Sequence, residues 1–445
     1  MSVLGRLFSE DLLPALRRRL PGLRERRRSG TCNDVAPQSQ ADPPSSERKP
    51  AGGIATVLLN WRNGENDPFT YVNTAIAAHL RACGKNVEVI EITAGAWPSR
   101  VIDILRRGGI DFAYTWQGLG SSAMIGNPPV SLWDSLRVPL ICIHGDHPSH
   151  MPPNHQLESR YCFHLYANAD HARYSNRHFR RVRGASVIDI PQLHREEPLG
   201  ARHGDYFVLA KNISDPVDME AVWRERLDRT TFDAYMAAAE VMKIRIASAT
   251  YVEIHDLLDD VLAQGRVRWH GHEPGTAEYH QYHSQLDHYA RNYRSVRAVT
   301  LLREFPLQIY GRGWDRIAKA ASPSHAYHPG RDMAESQHLF YTRFGIVDVS
   351  PSKGLHDRTR RAMVNQSGFL SSANLEDSFP DLERFASLFF GLAPDDLPSK
   401  CAAVMADPEE HRALAARFGE LYHTRFHFRK FVATIDAYAK TAHAF

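Results

Sequence analysis

The sequence predicts an α/β protein with two Rossmann-like parallel sheets in successive domains, and three observations predict it. From residue 54 onward, short apolar runs of strand length alternate with amphipathic stretches of helical period. The alternation stops in a polar stretch after Pro198 and restarts at DYFVLAKN, 205–212. Before residue 54, a stretch at 30–53 rich in Pro, Gly, Ser, Gln and Asp reads as a linker.

Residues 1–29 place Leu, Phe and Val among Arg17, Arg18, Arg19, Arg24, Arg26, Arg27 and Arg28. Two readings stay open: a disordered basic tail, or an interfacial helix that makes weak contact with anionic lipid. Pro14 and Pro21 cut any helix short and favour the tail. The first domain is expected over 54–204. ATVLLNW (55–61) is a buried strand, 67–84 an amphipathic helix ending at Gly84, and NVEVIEI (86–92) a second strand. SRVIDILRRGG (99–109) is a helix and DFAYTWQGLG (111–120) a strand running into a Gly turn. VPLICIHGDHP (138–148), YCFHLYAN (161–168) and ASVIDIP (185–191) are further strands. The first turn, 60–67, holds only Gly64 and lacks GxGxxG, so this half is a poor dinucleotide site.

The second domain is expected over 205–420, with a helical insertion at about 216–303 and a last helix at 421–445. The insertion ends in a His-rich run with His270, His272, His280, His283 and His288. His280 and His283 are one helical turn apart, which allows a metal site. With no acidic or Cys companions in pattern, a solvated helix is the preferred reading, and no metal site is assigned.

The chain is organised around 307–374. LQIYGRGW (307–314) reads as a strand entering a Gly turn, HPG (328–330) as a turn, FGIVDVS (344–350) as a strand, and PSKGLHDRTRRAMVNQSGFLSS (351–372) as loop, helix and strand. A loop following a strand's C-terminal end is where an open parallel sheet holds a ligand. The loop Ser350, Ser352, Lys353, Gly354 feeds a helix whose first turns carry His356, Arg358, Arg360 and Arg361. Free N–H groups, the helix dipole and cationic side chains together favour an anion, and a diphosphate is the natural one. Gly311 and Gly313 give the backbone freedom for close approach.

The ordered set YGRGW, HPG, IVDVSPSKGLHDRTRRAM and SGFLSS resembles the donor-binding half of GT-B glycosyltransferases. It is most similar to the group-1-type branch related to spore-maturation and spore-coat proteins. The clear match covers 307–374, and a looser match in layout covers the rest beyond residue 54. The resemblance implies a GT-B fold whose terminal helices pack back toward the first domain. It implies transfer of a sugar from a nucleotide-sugar donor, with no bound divalent metal and no other cofactor. Basic groups then meet the leaving diphosphate: Arg312, Lys353, His356 and Arg358, with Gly311, Gly313, Ser350, Ser352 and Gly354 shaping the site. The acceptor is a glycan, a lipid-linked sugar or a protein, and either stereochemical course stays open.

The attacking hydroxyl needs a base, expected on the first domain. HGDHP (144–148) lies just past a strand, so Asp146 with its neighbour His147 is the candidate pair, and His144 and Asp67 are the reserves. In the family resembled, a Glu that accepts from the donor ribose stands before the helix Ala, where this chain has Arg361. Arg only donates. Either Glu376 or another acid takes that role, or the donor carries an extra negative group, or donor binding has been lost. The last outcome would leave a scaffold or binding protein. Another nucleotide-sugar enzyme, such as an epimerase, is the remaining alternative.

The chain has 445 residues, 43% hydrophobic and 24% charged, with formal net charge +3, which gives no electrostatic case for nucleic acid. No GxSxG marks a serine hydrolase. Cys32, Cys83, Cys142, Cys162 and Cys401 are odd in number and lack CxxC spacing, which fits free thiols in the cytoplasm. A basic tail on anionic lipid would make the protein peripheral to the inner face of the membrane.

Overall fold

The computed structural model describes residues 54–61, 68–93, 95–156, 159–180, 183–191, 204–248, 252–264, 269, 273–317, 322–328, 341–351, 353–375, 379 and 381–443. The chain is α/β with two Rossmann-like parallel sheets, the layout expected of a GT-B fold. In the first sheet, β1 (Ala55–Asn60), β2 (Asn86–Glu91), β3 (Ile110–Trp116), β6 (Leu140–His144), β7 (Cys162–Tyr166) and β8 (Ser186–Val187) lie in the order β2-β1-β3-β6-β7-β8. The strands of this sheet pair in parallel. Both faces are covered, so β1 and β6 are buried along their whole length, which is why they read as continuous apolar runs. ASVIDIP supplies only the two-residue β8. A small antiparallel ladder, β4 (Met124–Ile125) with β5 (Val130–Ser131), interrupts the crossover after β3.

Helices α1 (Pro68–Ala82), α2 (Trp97–Gly108), α3 (Leu132–Leu136) and α4 (Ala169–His178) connect these strands. The other helix on this sheet comes from the far end of the chain. In α12 (Phe428–His443), Phe428, Phe431, Val432, Ile435 and Ala439 are buried in one core with Leu58, Ile76, Phe112, Ile141 and Phe163. Lys85 bridges Asp111 at 2.8 Å and Asp436 of α12 at 3.0 Å.

The second sheet has the order β11-β10-β9-β12-β13, built from β9 (Phe207–Ala210), β10 (Leu307–Tyr310), β11 (His325–His328), β12 (Gly345–Asp348) and β13 (Phe369–Ser371). β9 comes first in sequence and lies between β10 and β12, with which it pairs in parallel. The chain therefore leaves β9 in one direction across the sheet and returns on its other side. The C-terminal ends of β9 and β12 mark the topological switch point, where an open parallel sheet holds ligands.

Between β9 and β10 stand α5 (Pro216–Arg226), α6 (Arg229–Ser248), α7 (Ile254–Ala263) and α8 (Ala277–Leu301). Here the solvated-helix expectation is overturned. His280 and His283 of α8 are buried, at 1% and 0% exposure, and His288 is half-buried. The partners of this face come from the first domain. α8 packs on the 3-10 turn Pro148–His150, His280 Nδ1 pairs with Tyr174 Oη at 2.9 Å, and His288 stacks on His150 at 4.4 Å. A polar helix face was read as facing water, whereas it faces a second polar surface more than 100 residues away in sequence. His270 and His272 lie outside the described residues.

After β13, α10 (Asp396–Ala406) and α11 (Pro408–Arg425) complete the second domain's flank. Phe418 and Tyr422 of α11 pack there against Phe379 and Phe385.

Candidate active site at the switch point

The donor-type residues gather at the C-terminal ends of β9, β10 and β12. Gly311 and Gly313 have φ of 145° and 85°, and a Cβ on either would lie 2.1 Å from Lys211 O or 2.0 Å from Ile213 O. The backbone that comes close is therefore the chain's own loop, 211–213. Trp314, fully buried, donates from Nε1 to Lys211 O at 2.6 Å, and the Arg312 N–H donates to Asn212 Oδ1 at 2.8 Å. YGRGW thus works locally as a clamp that holds the segment after β9 in place. The Arg312 side chain is exposed.

That clamped segment presents Lys211, which the motif reading passed over. Its Nζ donates to Arg291 O at 3.0 Å. Desolvation, with the guanidinium groups of Arg358, Arg291 and Arg294, holds the Lys211 ammonium well below its ordinary pKa, and Asp348 opposes them. Arg291 and Arg294 rise from α8. Arg291 Nε donates to Asp287 at 2.7 Å, and Arg294, 1% exposed, donates from Nε to Val349 O at 3.3 Å. Neither belongs to a short motif. Only the folding of α8 onto the loop after β12 brings them here.

Asp348, at the end of β12, organises the other wall. It is buried and accepts from Ser350 N at 3.2 Å, Ser350 Oγ at 2.8 Å and Thr359 Oγ1 at 2.8 Å. Burial raises its pKa, but His356, Arg358 and these hydrogen bonds outweigh burial and hold it below the usual carboxylate range. Arg358 Nη1 donates to Ser350 Oγ at 3.3 Å and lies 3.7 Å from Asp348 Oδ1. Helix α9 (Asp357–Val364) starts later than the sequence suggested. His356 is its N-cap and accepts from Arg358 N, so the helix opens at His356 rather than at Gly354. The loop between touches the first domain: a Cβ on Gly354 would lie 3.2 Å from Ala167 O, and Lys353 Nζ is 4.0 Å from Asp170 Oδ1. Arg360 reaches Ile190 O in the first domain at 3.0 Å. Arg361 is half-buried and acts electrostatically on Asp357. Ser352, Glu376, Asp67, Pro329 and Gly330 lie outside the described residues.

On the first domain, Asp146 follows β6 and is half-buried, accepting from Gln117 Nε2 at 2.9 Å. His147 does not stand beside it as an accessible partner. It is 1% exposed, pairs through Nδ1 with Ser149 Oγ at 2.7 Å, and stacks on His255 at 3.5 Å. Burial, His255 and His171 hold its pKa well below that of a free imidazole. The adjacent pair suggested by sequence is split because the chain turns into the 3-10 segment at His147. No helix of the described residues is long and apolar enough to cross a membrane.

No family model matches the chain, and no curated protein matches it. Among solved structures, the crystal structure of Anabaena HepE in complex with UDP aligns over 88% of this chain and 100% of that one, at 10% identity and a TM-score of 0.42.

Proposed function

We propose that the chain is a glycosyltransferase that takes a sugar from a nucleotide-sugar donor bound at the β9/β12 switch point. One observation carries this reading. At the switch point Lys211, Arg291, Arg294 and Arg358 gather against two carboxylates, Asp348 and Asp287. A diphosphate is the ligand that such a surplus of donors fits, and an Arg fork grips two of its oxygens at once.

In the proposed reaction the second domain neutralises the charge that develops on the leaving diphosphate, through Lys211, Arg291, Arg294 and Arg358. This assigns to side chains the role that a divalent ion plays in other transferases. Ser350, held by Asp348, adds a hydroxyl at the same wall. The first domain supplies Asp146 as the base for the acceptor hydroxyl, with Gln117 fixing its carboxylate. On that side Lys353 and Gly354 come against Asp170 and Ala167 of the first domain.

Calorimetric titration of the full chain with UDP, GDP and ADP, without added metal, tests donor binding. A nucleotide-sugar panel read as released nucleotide tests transfer. Failure of every nucleoside diphosphate to bind would overturn the reading.

A further inference from the structure

We propose that Cys142, His144 and His164 form a binding site for a divalent transition-metal ion, zinc by preference, inside the first domain. The site is separate from the donor site, and nothing in it depends on the donor reading.

Strand alternation puts Cys142 and His144 on the same face of β6. On β7, His164 is the direct register partner of Cys142. All three are buried, at 0%, 0% and 2% exposure. Cys142 shares its core with Leu140, Leu132, Trp133 and Val138. A parallel strand covered on both faces ordinarily fills such positions with Val, Ile or Leu. Three metal-ligating side chains at one point of that core therefore stand out.

Their geometry suits a metal. His144 Nε2 lies 3.0 Å from His164 Nδ1, and the ligand atoms of all three residues lie within 4.8 Å of one another. Around tetrahedral zinc, with Zn–N about 2.0–2.1 Å and Zn–S about 2.3 Å, neighbouring ligand atoms sit roughly 3.4–3.6 Å apart. Small rotations of the side chains span that difference. One thiolate and two imidazoles are a donor set for zinc, not for magnesium or calcium. Water would complete a tetrahedral set.

The surroundings fix the rings. His144 stacks on Tyr166 at 4.7 Å, and the tilted ring of His155 lies 4.3 Å from it. His155 Nδ1 pairs with Tyr166 Oη at 2.6 Å, and Tyr166 Oη pairs with Ser175 Oγ at 2.7 Å. These contacts pack the His144 ring in place. Gly118, at φ 64°, leaves the room His144 occupies, since a Cβ there would lie 2.9 Å from His144 Cε1. On binding, the Cys142 thiol releases its proton to solvent. The N–H shared between the two imidazoles moves to the outer nitrogen of its own ring. The ion then joins β6 to β7 directly beneath the loop that carries Asp146.

The full-length protein, purified without chelator, would be assayed for metal by mass spectrometry, then stripped and titrated with cobalt(II). A Cys32→Ser/Cys83→Ser background removes Cys32, which lies outside the described residues, and the exposed Cys83. The expected result is one cobalt per chain with a thiolate-to-cobalt charge-transfer band, displaced by zinc, and a higher Tm with zinc. Cys142→Ser should abolish the band while Cys401→Ser, a buried thiol elsewhere, keeps it. Absence of the band in the Cys142-containing background, with no zinc shift in Tm, would overturn the proposal and leave the His144–His164 contact as a hydrogen bond alone. That titration decides the question even if Cys142→Ser fails to fold.

Discussion

His147 of the first domain stacks on His255 of α7 at 3.5 Å, so two imidazoles from opposite domains share one buried contact. Around it, His171 packs on His147, His178 of α4 faces His283 of α8 at 6.3 Å, His280 pairs with Tyr174, and His288 stacks on His150. Asp259 and Asp287, with Arg177 and Arg291, border the cluster. Burial is the largest cause and lowers the His pKa values, with neighbouring His and Arg adding to it and Asp259 and Asp287 opposing it: His171 and His288 to about 3, His178 and His280 to about 4, and His147, His255 and His283 in the same direction. Above about pH 6.5 these groups are neutral in both folded and unfolded chains and contribute no pH dependence. Below it the unfolded chain binds protons that the folded one refuses, so stability falls as pH falls, by about 1.4 kcal/mol per pH unit for each imidazole. Glu253, raised to about 7 chiefly by burial, acts the other way between its unfolded value and 7. One carboxyl cannot offset seven imidazoles. Urea midpoints measured between about pH 7.5 and 5 should drop with a slope of more than two protons. A flat profile would contradict the dry histidine interface.

Lys211 predicts proton uptake on donor binding. Its ammonium is disfavoured by desolvation and by Arg358, Arg291 and Arg294. A bound diphosphate restores the charged form, so binding at a pH between the two pKa values draws a proton from buffer. Calorimetry in two buffers of different ionisation enthalpy should give different apparent enthalpies. Lys211→Met should remove that difference, and Arg358→Ala should weaken binding by about 1.5–3 kcal/mol, as for a hydrogen bond to a charged group. Equal enthalpies in both buffers would show that Lys211 does not meet the anion.

The α/β class was legible because both sheets are parallel and covered, so strands such as ATVLLN and GIVD are mostly apolar runs. The local grouping after β12 was legible for a related reason: Ser350, Arg358 and Thr359 are close in sequence, and Asp348 gathers them. Lys211, Arg291 and Arg294 were missed because their grouping depends on a clamp from residues 311–314 and on the angle of a 25-residue helix. A Lys directly after a strand that begins a domain was the one available signal. The histidine interface was misread for the same reason, since hydropathy does not distinguish water from a polar partner surface.

Asp146→Asn should lower turnover by about 10²–10⁴-fold while leaving nucleoside-diphosphate affinity unchanged, the signature of a lost general base. Gln117 would still hold an amide in the same place, so folding is not at issue. Released nucleotide measured beside calorimetric affinity separates the two quantities. Near-normal turnover would move the base elsewhere.

Gly313→Ala should act on stability and on the donor site together. At φ 85° an added Cβ would meet Ile213 O at 2.0 Å, so the backbone must shift. The left-handed conformation alone costs about 1–3 kcal/mol in a non-glycine residue. Urea unfolding should show at least that loss, and displacement of 211–213 should weaken nucleotide binding in the fraction that stays folded. An unchanged midpoint would refute the clamp.

Arg361 carries the last prediction. At 100° per residue, about 3.6 residues per turn, it lies roughly 60° around α9 from Arg358 and one turn further along. It acts on Asp357, whose carboxyl burial raises but His356 and the two arginines pull well below its ordinary pKa. An Arg at this position offers no acceptor to a plain ribose, but it suits a ribose or sugar that carries a further negative group. If Arg361 faces that part of the donor, nucleotides phosphorylated on the ribose should bind this chain better than plain ones, and Arg361→Glu should reverse the order. The swing should exceed tenfold, since one charge-assisted hydrogen bond is worth about 1.5–3 kcal/mol. Arg361→Gln controls for the like-charge pair that Glu would form with Asp357 at i,i+4, worth only about 0.2–0.5 kcal/mol. Calorimetric affinities for UDP and its ribose-phosphorylated analogue, measured for the three proteins, give the ratio directly. A ratio that stays constant across all three would remove Arg361 from the donor contact and leave the ribose to other residues.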